Sequence, residues 1–178
     1  MNESLLLNAK DIDRILTRMA HEITEKSSFN PDKTALIGIR TRGIYLAERL
    51  KKKIHAIENH LLDLGSLDIS FHRDDLDQRT SLPVVGVTEI TFNITGREII
   101  LVDDVLYTGR TVRAALDELM DFGRPDRILL AVLIDRGHRE LPIRPDFVGK
   151  NIPTHEQDSI RLHLSESDGK DEVILQCP

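Results

Sequence analysis

The run Ile99-Ile-Leu-Val-Asp-Asp-Val-Leu-Tyr-Thr-Gly-Arg-Thr111 joins four apolar residues to two acids, a loop and the start of a helix. It predicts a buried strand that ends at Val102, a loop from Asp103 to Gly109 and a helix that begins at Arg110. In open parallel sheets, ligands bind just beyond the carboxyl ends of the strands. The run therefore predicts an α/β fold and places a ligand site in this loop.

The loop carries groups that suit a phosphorylated sugar. Gly109 allows a tight turn, so that the backbone amides beside it can converge on an anion at the positive end of the helix. The hydroxyl groups of Thr108 and Thr111 can donate to phosphate oxygens. The carboxylates of Asp103 and Asp104 can accept hydrogen bonds from a cis diol and help to organise Mg²⁺. A phosphate at one end and a diol at the other describe ribose 5-phosphate.

Other functions are known for a strand that ends in two acids. Phosphoacceptor receiver domains need a further Asp and a Lys after other strands, and the sequence offers neither in clear form. The chain has no G-x-x-x-x-G-K-[ST] loop and no G-x-G-x-x-G motif, which argues against nucleoside triphosphatases and dinucleotide-binding enzymes. A purely structural interpretation, in which the acids solvate a strand end and Thr108 caps a helix, stays open but explains less of the thirteen-residue run.

Strand and helix patterns alternate along the rest of the chain. We predict helices over residues 8–26 and 110–122 and after the turn at 40–43. The predicted strands cover residues 34–39, 67–71, 98–102, 127–134, 147–149, 160–164 and 173–175. Such alternation predicts one domain, residues 1–178, with a mainly parallel sheet flanked by helices. The weakly patterned stretch from about 72 to 96, with a strand-like run at 90–94, is a candidate flap over the site.

The composition narrows the class of protein. Lys and Arg number 24 against 30 Asp and Glu, a net charge of −6, which argues against a dedicated nucleic-acid binder but leaves room for a local basic patch. No apolar run is long enough to cross a bilayer, and the amino terminus lacks the pattern of a secretory signal. The single cysteine, Cys177, can form no internal disulfide. We therefore expect a cytoplasmic protein with no membrane partner.

The segment Ile99–Thr111 resembles the phosphoribosyl pyrophosphate (PRPP) signature of type I phosphoribosyltransferases. From about Leu5 to Ile174 the chain also resembles the PyrR family of bacterial pyrimidine-operon regulators. Five blocks carry this resemblance: Leu16-Thr-Arg-Met-Ala-His-Glu22, Thr41-Arg-Gly-Ile-Tyr-Leu-Ala47, Leu67-Asp-Ile-Ser-Phe-His-Arg-Asp-Asp-Leu76, Val102-Asp-Asp-Val-Leu-Tyr-Thr-Gly-Arg-Thr111 and Asp135-Arg-Gly-His-Arg-Glu-Leu-Pro-Ile-Arg144. The sequence departs from the family at His72, where relatives usually have Tyr, and in its composition between Gln78 and Gly96.

The resemblance implies a type I phosphoribosyltransferase fold with a flap or hood, and two activities. One is uracil phosphoribosyltransferase activity, in which uracil and PRPP give UMP and pyrophosphate with the help of Mg²⁺. The other is UMP-dependent binding to the leader of pyrimidine-operon messenger RNA, which promotes transcription attenuation. A homodimer or higher homo-oligomer is expected. Two alternatives stay open: a phosphoribosyltransferase for another base without an RNA role, and a UMP-sensing regulator with little catalysis.

The resemblance also assigns roles to individual residues. Asp103, Asp104 and Arg42 are implied to be catalytic, and the two acids also hold Mg²⁺ indirectly, through PRPP. PRPP or UMP is implied to bind at Thr41, Arg42, Asp103, Asp104, Val105, Leu106, Tyr107, Thr108, Gly109, Arg110 and Thr111. The base is implied to contact Arg136 and Arg139, while the flap carries Arg73. RNA is implied to contact Thr17, Arg18, His21, Arg139, Arg144 and Lys150. Without the resemblance, the polar residues of the first helix would be interpreted as a solvated face.

Overall fold

Eight strands and four helices make up the part of the chain that this computed structural model describes, residues 2–26, 28–69 and 87–178. The strands are β1 (Asn2–Asn8), β2 (Thr34–Ile39), β3 (Asp63–Leu67), β4 (Glu98–Leu106), β5 (Arg127–Asp135), β6 (Phe147–Asn151), β7 (Ser159–His163) and β8 (Glu172–Cys177). The helices are α1 (Ala9–Thr24), α2 (Arg42–Glu58), α3 (Arg110–Leu119) and α4 (Ser165–Asp168), and a 3₁₀ turn, Met120–Phe122, follows α3.

The larger sheet has five strands in the order β3-β2-β4-β5-β6, and every neighbouring pair is parallel. Alternate residues of β4 face opposite sides of it. Ile100 and Val102 pack in the core that α1 and α2 cover, whereas Ile99 and Leu101 pack in the core that α3 covers. Because both faces are buried, residues Ile99–Val102 of β4 form a continuous apolar run rather than an alternating one. The predicted parallel sheet flanked by helices is confirmed.

A second, antiparallel sheet has the strand order β1-β8-β7. Together with α4 these strands form the hood, residues 2–8 and 159–177. The two late strands were predicted close to their observed positions. The strand β1 was not predicted, because its short apolar run is buried only at Leu7 while Leu5 is 60% exposed. Its partner in the sheet lies at the other end of the chain, where Leu5 pairs with Ile174.

The amino terminus of α1 is capped by two of its own side chains. The side chain of Asn8 accepts a hydrogen bond from the backbone of Asp11, and the side chain of Asp11 accepts one from the backbone of Asn8. This capping box satisfies two amides that the helix itself leaves without a partner. The apolar residues that recur at helical spacing in α1 face the core: Ile12, Leu16, Met19, Ala20 and Ile23 are buried, and Ile15 is half-buried.

Two predicted strand boundaries and one strand-like run differ from the structure. The strand β3 ends at Leu67 instead of beginning there, because buried Gly65 and Ser66 belong to it and give no apolar signal. The strand β4 continues to Leu106, because its pairing with the long β5 extends to Asp135. Residues 90–94 form no strand. Most of the predicted flap at about 72–96, with Arg73, lies outside the described residues.

Candidate active site

Two acids lie near the carboxyl end of the central strand. Since β4 runs to Leu106, Asp103 and Asp104 belong to the strand and not to the loop that was predicted for them. Asp103 is 6% exposed, and its carboxylate accepts the amide of Asp104 at 2.9 Å. The carboxylate of Asp104 accepts the amide of Val105 at 2.7 Å and is only half-buried. Asp104 is therefore the acid that a ligand reaches more easily.

The segment that we call the phosphate loop, residues 107–111, consists of the turn between β4 and α3 and the first two residues of α3. Gly109 has φ 94°, a left-handed conformation that side chains disfavour, and α3 begins at the next residue. The carbonyl of Thr108 accepts the amides of Glu140 and Leu141 at 3.0 and 3.2 Å. A Cβ on Gly109 would lie 3.3 Å from Ile143. The loop is thus fixed from behind by the segment that follows β5, while the amino terminus of α3 can receive an anion.

Two arginines after β5 were predicted to contact the base. Arg136 is 6% exposed, and its guanidinium lies 4.0 Å from the centre of the Tyr107 ring. It donates to the hydroxyl of Thr154 and to the carbonyl of His155 at 3.1 and 3.0 Å. These bonds hold the loop after β5 against the loop after β6. A base contact from Arg136 stays a prediction, and the structure gives this side chain a bracing role.

Arg139 is bonded in the same way. Its guanidinium donates to the carbonyls of Tyr107 and Ile143 and forms an ion pair with Asp135. Both roles that were predicted for Arg139, in base and RNA binding, stay predictions. This use could not be predicted from the sequence, because two acceptors are backbone carbonyls, which no residue type marks, and one of them belongs to Tyr107, 32 residues away.

A cavity of about 480 Å³ opens beside these arginines, at the carboxyl ends of β5 and β6. It is lined by residues 135–139 together with Asn151, Pro153 and Thr154. The ring of His138 is held at its edge by a 2.6 Å hydrogen bond between Nε2 and the carbonyl of Thr154. Backbone groups of a loop at this position can present both donors and acceptors to a planar ring.

Residues 41–43, which the resemblance implies bind pyrophosphate and which we call the pyrophosphate loop, include the start of α2 and lie beside the two acids. A Cβ on Gly43 would be 2.5 Å from the carbonyl oxygen of Val102, so only glycine permits this approach. The start of α2 is thereby packed against the residue that precedes Asp103. The peptide bond between Arg40 and Thr41 is cis. The structure thus brings the segment after β2 and the end of β4, about sixty residues apart in the sequence, together at the carboxyl ends of the central strands.

The guanidinium of Arg42 is paired with the hood. Its Nη2 and Nε lie 2.9 and 3.3 Å from the carboxylate oxygens of Asp168. The hydrogen bond from Arg42, together with the amide of Leu164 and the hydroxyl of Ser167, holds the pKa of Asp168 well below its usual range. Sequence reasoning did not find Asp168, since an acid in a short surface helix carries no distinctive signal.

The residues that the resemblance assigns to RNA lie on α1, on β6 and in the segment between β5 and β6. Arg18 of α1 donates to the carbonyls of Val148 and Gly149 and pairs with Glu22, so it anchors α1 on β6. Arg18 and Lys150 line a groove of about 320 Å³. Thr17 is half-buried, and its hydroxyl accepts a hydrogen bond from Lys53. His21 and Arg144 are exposed. Their contact with RNA stays a prediction.

The acids fit a magnesium ion that the ligand itself helps to hold. Within residues 2–26, 28–69 and 87–178, no three His, Cys, Asp or Glu side chains gather as a metal site. Asp103 and Asp104 supply oxygen donors, the class that Mg²⁺ prefers, and this ion usually keeps phosphate and water ligands as well.

Within residues 2–26, 28–69 and 87–178, no helix has the length and apolar character of a membrane span.

Comparison with known proteins decides the family. Residues 4–166 match the phosphoribosyl transferase domain. The chain belongs to the phosphoribosyltransferase family. It is 56% identical over 174 residues to the "Bifunctional protein PyrR" of Halalkalibacterium halodurans, covering 97% of this chain and 96% of that one. It is 54% identical over 173 residues to the "Bifunctional protein PyrR" of Elusimicrobium minutum, with 97% and 96% covered. These relatives place it among the PyrR proteins and confirm the resemblance.

Solved structures confirm the fold. The hypoxanthine phosphoribosyltransferase of Trypanosoma cruzi superimposes with a TM-score of 0.72, covering 98% of this chain and 97% of that one, at 16% identity. One from Staphylococcus aureus gives a TM-score of 0.69, with 96% and 90% covered, at 19% identity. The fold is therefore that of type I phosphoribosyltransferases, and the chain is a glycosyltransferase of the pentosyltransferase class. Such enzymes generally use Mg²⁺ with PRPP.

Proposed function

We propose that this protein transfers the ribose 5-phosphate of PRPP to uracil, giving UMP and pyrophosphate. The observation that carries the proposal is the close approach of Gly43 to the carbonyl of Val102. A Cβ atom at Gly43 would lie only 2.5 Å from that carbonyl oxygen. It puts a loop suited to pyrophosphate beside the acids suited to ribose, with the phosphate loop at the end of the same strand. Three parts of one ligand thus have three adjacent places.

The residues act by position and charge. The amides beside Gly109 hold the 5-phosphate, and the carboxylate of Asp104 accepts hydrogen bonds from the ribose hydroxyls. As pyrophosphate leaves, positive charge develops on the ribose ring, and the buried carboxylate of Asp103 stabilises it at short range. Mg²⁺ neutralises the departing pyrophosphate when it is bound. No covalent nucleophile is needed, because orientation of the base and the ribose lowers the barrier.

The cavity after β5 is the proposed site for the base. Its volume of about 480 Å³ exceeds the need of a single pyrimidine ring, and its lining offers the backbone of residues 135–139. Because Arg136 and Arg139 already donate to internal acceptors, we assign recognition of the base to backbone groups that these side chains hold in place. Uracil, in preference to other bases, follows from the PyrR resemblance.

The second half of the proposal is regulation through RNA. The groove is lined by three basic side chains, Arg14, Arg18 and Lys150, and by Asp11, so it is a local basic patch on an otherwise acidic protein. Local potential governs such binding, so a net charge of −6 does not oppose it. We propose that a pyrimidine-operon leader binds here in the presence of UMP. A homo-oligomer in the cytoplasm completes the proposal, and the single cysteine suits that reducing compartment.

The test is an assay of pyrophosphate release with PRPP, Mg²⁺ and a panel of bases: uracil, hypoxanthine, guanine and orotate. We expect turnover with uracil only. Turnover with another base instead of uracil would show that the protein is a transferase for that base. If the protein binds UMP but turns over none of the bases, only the regulatory function would stand. A gel-shift titration of leader RNA against an unrelated hairpin, with and without UMP, tests the regulatory half independently.

A further inference from the structure

An ion pair joins the pyrophosphate loop to the hood. Arg42 offers Nη2 and Nε to the two carboxylate oxygens of Asp168, at 2.9 and 3.3 Å. The side chains of Arg42 and Asp168 are 33% and 21% exposed, so the pair lies near solvent and is not locked in a core. This forked arrangement is the one in which a guanidinium also binds phosphate groups. The arginine assigned to pyrophosphate therefore already holds an anion supplied by the chain itself.

We infer that Asp168 competes with the pyrophosphate group of the ligand for Arg42, and so sets the affinity for that end of PRPP. The inference rests on the proposed function, since it takes PRPP as the ligand. One edge of a guanidinium cannot serve a carboxylate and a pyrophosphate at once. In the inferred exchange the pyrophosphate oxygens take the same Nε–Nη2 edge, so Asp168 releases that edge before they bind.

The exchange does not strand the carboxylate. Oδ2 of Asp168 accepts the amide of Leu164 at 2.9 Å and the hydroxyl of Ser167 at 2.7 Å. Both donors belong to the turn that includes α4 and stay in place when Arg42 leaves. A carboxylate that keeps two hydrogen bonds and access to water avoids the penalty of an unpaired buried charge. The released state is therefore accessible.

The hood also stays attached during the exchange. Arg49 lies seven residues after Arg42, about two helical turns, and so on the same face of α2. Its guanidinium donates to Glu166 at 2.8 and 2.6 Å and to Asp171 at 2.7 and 2.8 Å. With side-chain exposure of 18%, Arg49 is better shielded than Arg42. Arg49 is thus the permanent anchor of the hood, and Arg42 is the exchangeable contact.

The test compares Asp168→Asn with Glu166→Gln. Both replace a carboxylate of α4 by an amide and remove one negative charge, but only the first removes a partner of Arg42. We expect Asp168→Asn to lower the KM for PRPP and the Kd for magnesium pyrophosphate by about two- to fivefold, as for a partly exposed pair. The gain should be absent from the KM for uracil. Glu166→Gln should leave the KM for PRPP near the wild-type value.

A double-mutant cycle shows whether Asp168 acts through Arg42. In an Arg42→Gln background, Asp168→Asn should give no gain in pyrophosphate affinity by calorimetry. The inference is overturned if Asp168→Asn weakens or leaves unchanged the binding of PRPP to an active enzyme, or if the gain persists without Arg42. A wild type that binds neither PRPP nor pyrophosphate overturns the proposed function as well. The two failures are thus distinguishable.

Discussion

The backbone carbonyl of Tyr107 accepts a hydrogen bond of 2.8 Å from the guanidinium of Arg139. The same guanidinium donates to the carbonyl of Ile143 at 3.0 Å and pairs with the carboxylate of Asp135. One side chain therefore ties the loop after β5 to the phosphate loop after β4. Since backbone carbonyls cannot move without moving the chain, the shape of the phosphate loop depends on this arginine.

Arg139→Gln should loosen the phosphate loop. The substitution leaves the carboxylate of Asp135 without its ion-pair partner Arg139 and removes donors to the two carbonyls. We expect the free energy of unfolding to fall by about 1 to 3 kcal/mol and the KM for PRPP to rise. Chemical denaturation and steady-state kinetics measure the two effects. The control is Arg144→Gln, a change at an exposed position. Equal unfolding curves for both variants would contradict the bracing role.

Gly109→Ala should damage the same loop for a different reason. Gly109 has φ 94°, and an added Cβ would also lie 3.3 Å from Ile143. The strain should cost about 1 to 3 kcal/mol of stability and raise the KM for PRPP. Gly96→Ala is the matched control, since Gly96 has φ 74° with nothing within 4 Å of its built Cβ. A comparable rise in KM in the control would show that general strain, and not loop geometry, is responsible.

The sequence carries enough local information to predict the centre of the fold. The strand β4, Gly109 and the helix after it follow one another within thirteen residues, and their signals depend only on neighbours. The cap at Asn8 and the buried stripe of α1 are local in the same sense. Strand, turn and helix preferences act over short distances along the chain. For this reason these features could be predicted, together with the location of the site at the carboxyl ends of the strands.

Contacts between distant segments could not be predicted in the same way. The pair of Arg42 and Asp168 joins residues 126 positions apart, and the stacking of Arg136 on Tyr107 joins different loops. A pattern of residue types shows that an arginine is present, but its hydrogen-bond partners depend on the folded arrangement. For this reason the loop-bracing bonds of Arg136 and Arg139 could not be predicted, while the base contacts that the resemblance implies for them stay predictions.

Asp104→Asn should lower transferase turnover by about a hundredfold or more, since it removes a charge at the ribose site. The structure places Asp104 half-buried at the end of the central strand, where an asparagine oxygen can still accept the amide of Val105. The fold should therefore survive, as circular dichroism would show. Asp103→Asn should behave similarly, because its bond to the amide of Asp104 can also be kept. Asp117→Asn on the outer face of α3 is the control, and near-normal turnover in both site variants would refute the assignment.

Removal of Mg²⁺ should abolish transfer without unfolding the protein. A bound ion would neutralise the charge of pyrophosphate, so excess chelator should bring turnover to background. Stability of the ligand-free protein should not change, because the described part of the chain gathers no protein-only metal site. Thermal unfolding and pyrophosphate release, each with and without chelator, separate the two effects. Full turnover in chelator would contradict the mechanism, and a lower melting temperature would reveal a structural metal.

Lys150→Gln should weaken binding of leader RNA and make it less dependent on salt. Lys150 is exposed at the rim of the groove that Arg18 also lines, so it can meet a phosphate without breaking an internal contact. Loss of one phosphate contact should reduce the slope of log affinity against log salt by about one. Arg18→Gln should weaken binding too, but it also removes the bonds from α1 to the carbonyls of Val148 and Gly149, so it should cost stability.

The control for the RNA measurement is Lys33→Gln, an exposed lysine near Glu98 at the amino ends of β2 and β4. It removes the same charge far from the groove and should leave the salt slope unchanged. UMP should tighten RNA binding if the two sites are coupled, and linkage then requires RNA to tighten UMP binding by the same factor. Gel-shift titrations over a range of salt concentrations, with and without UMP, measure the salt slope and the effect of UMP on RNA affinity. Uracil transfer is assayed in parallel. Equal losses in Lys33→Gln and Lys150→Gln would show that net charge, and not this groove, governs RNA binding.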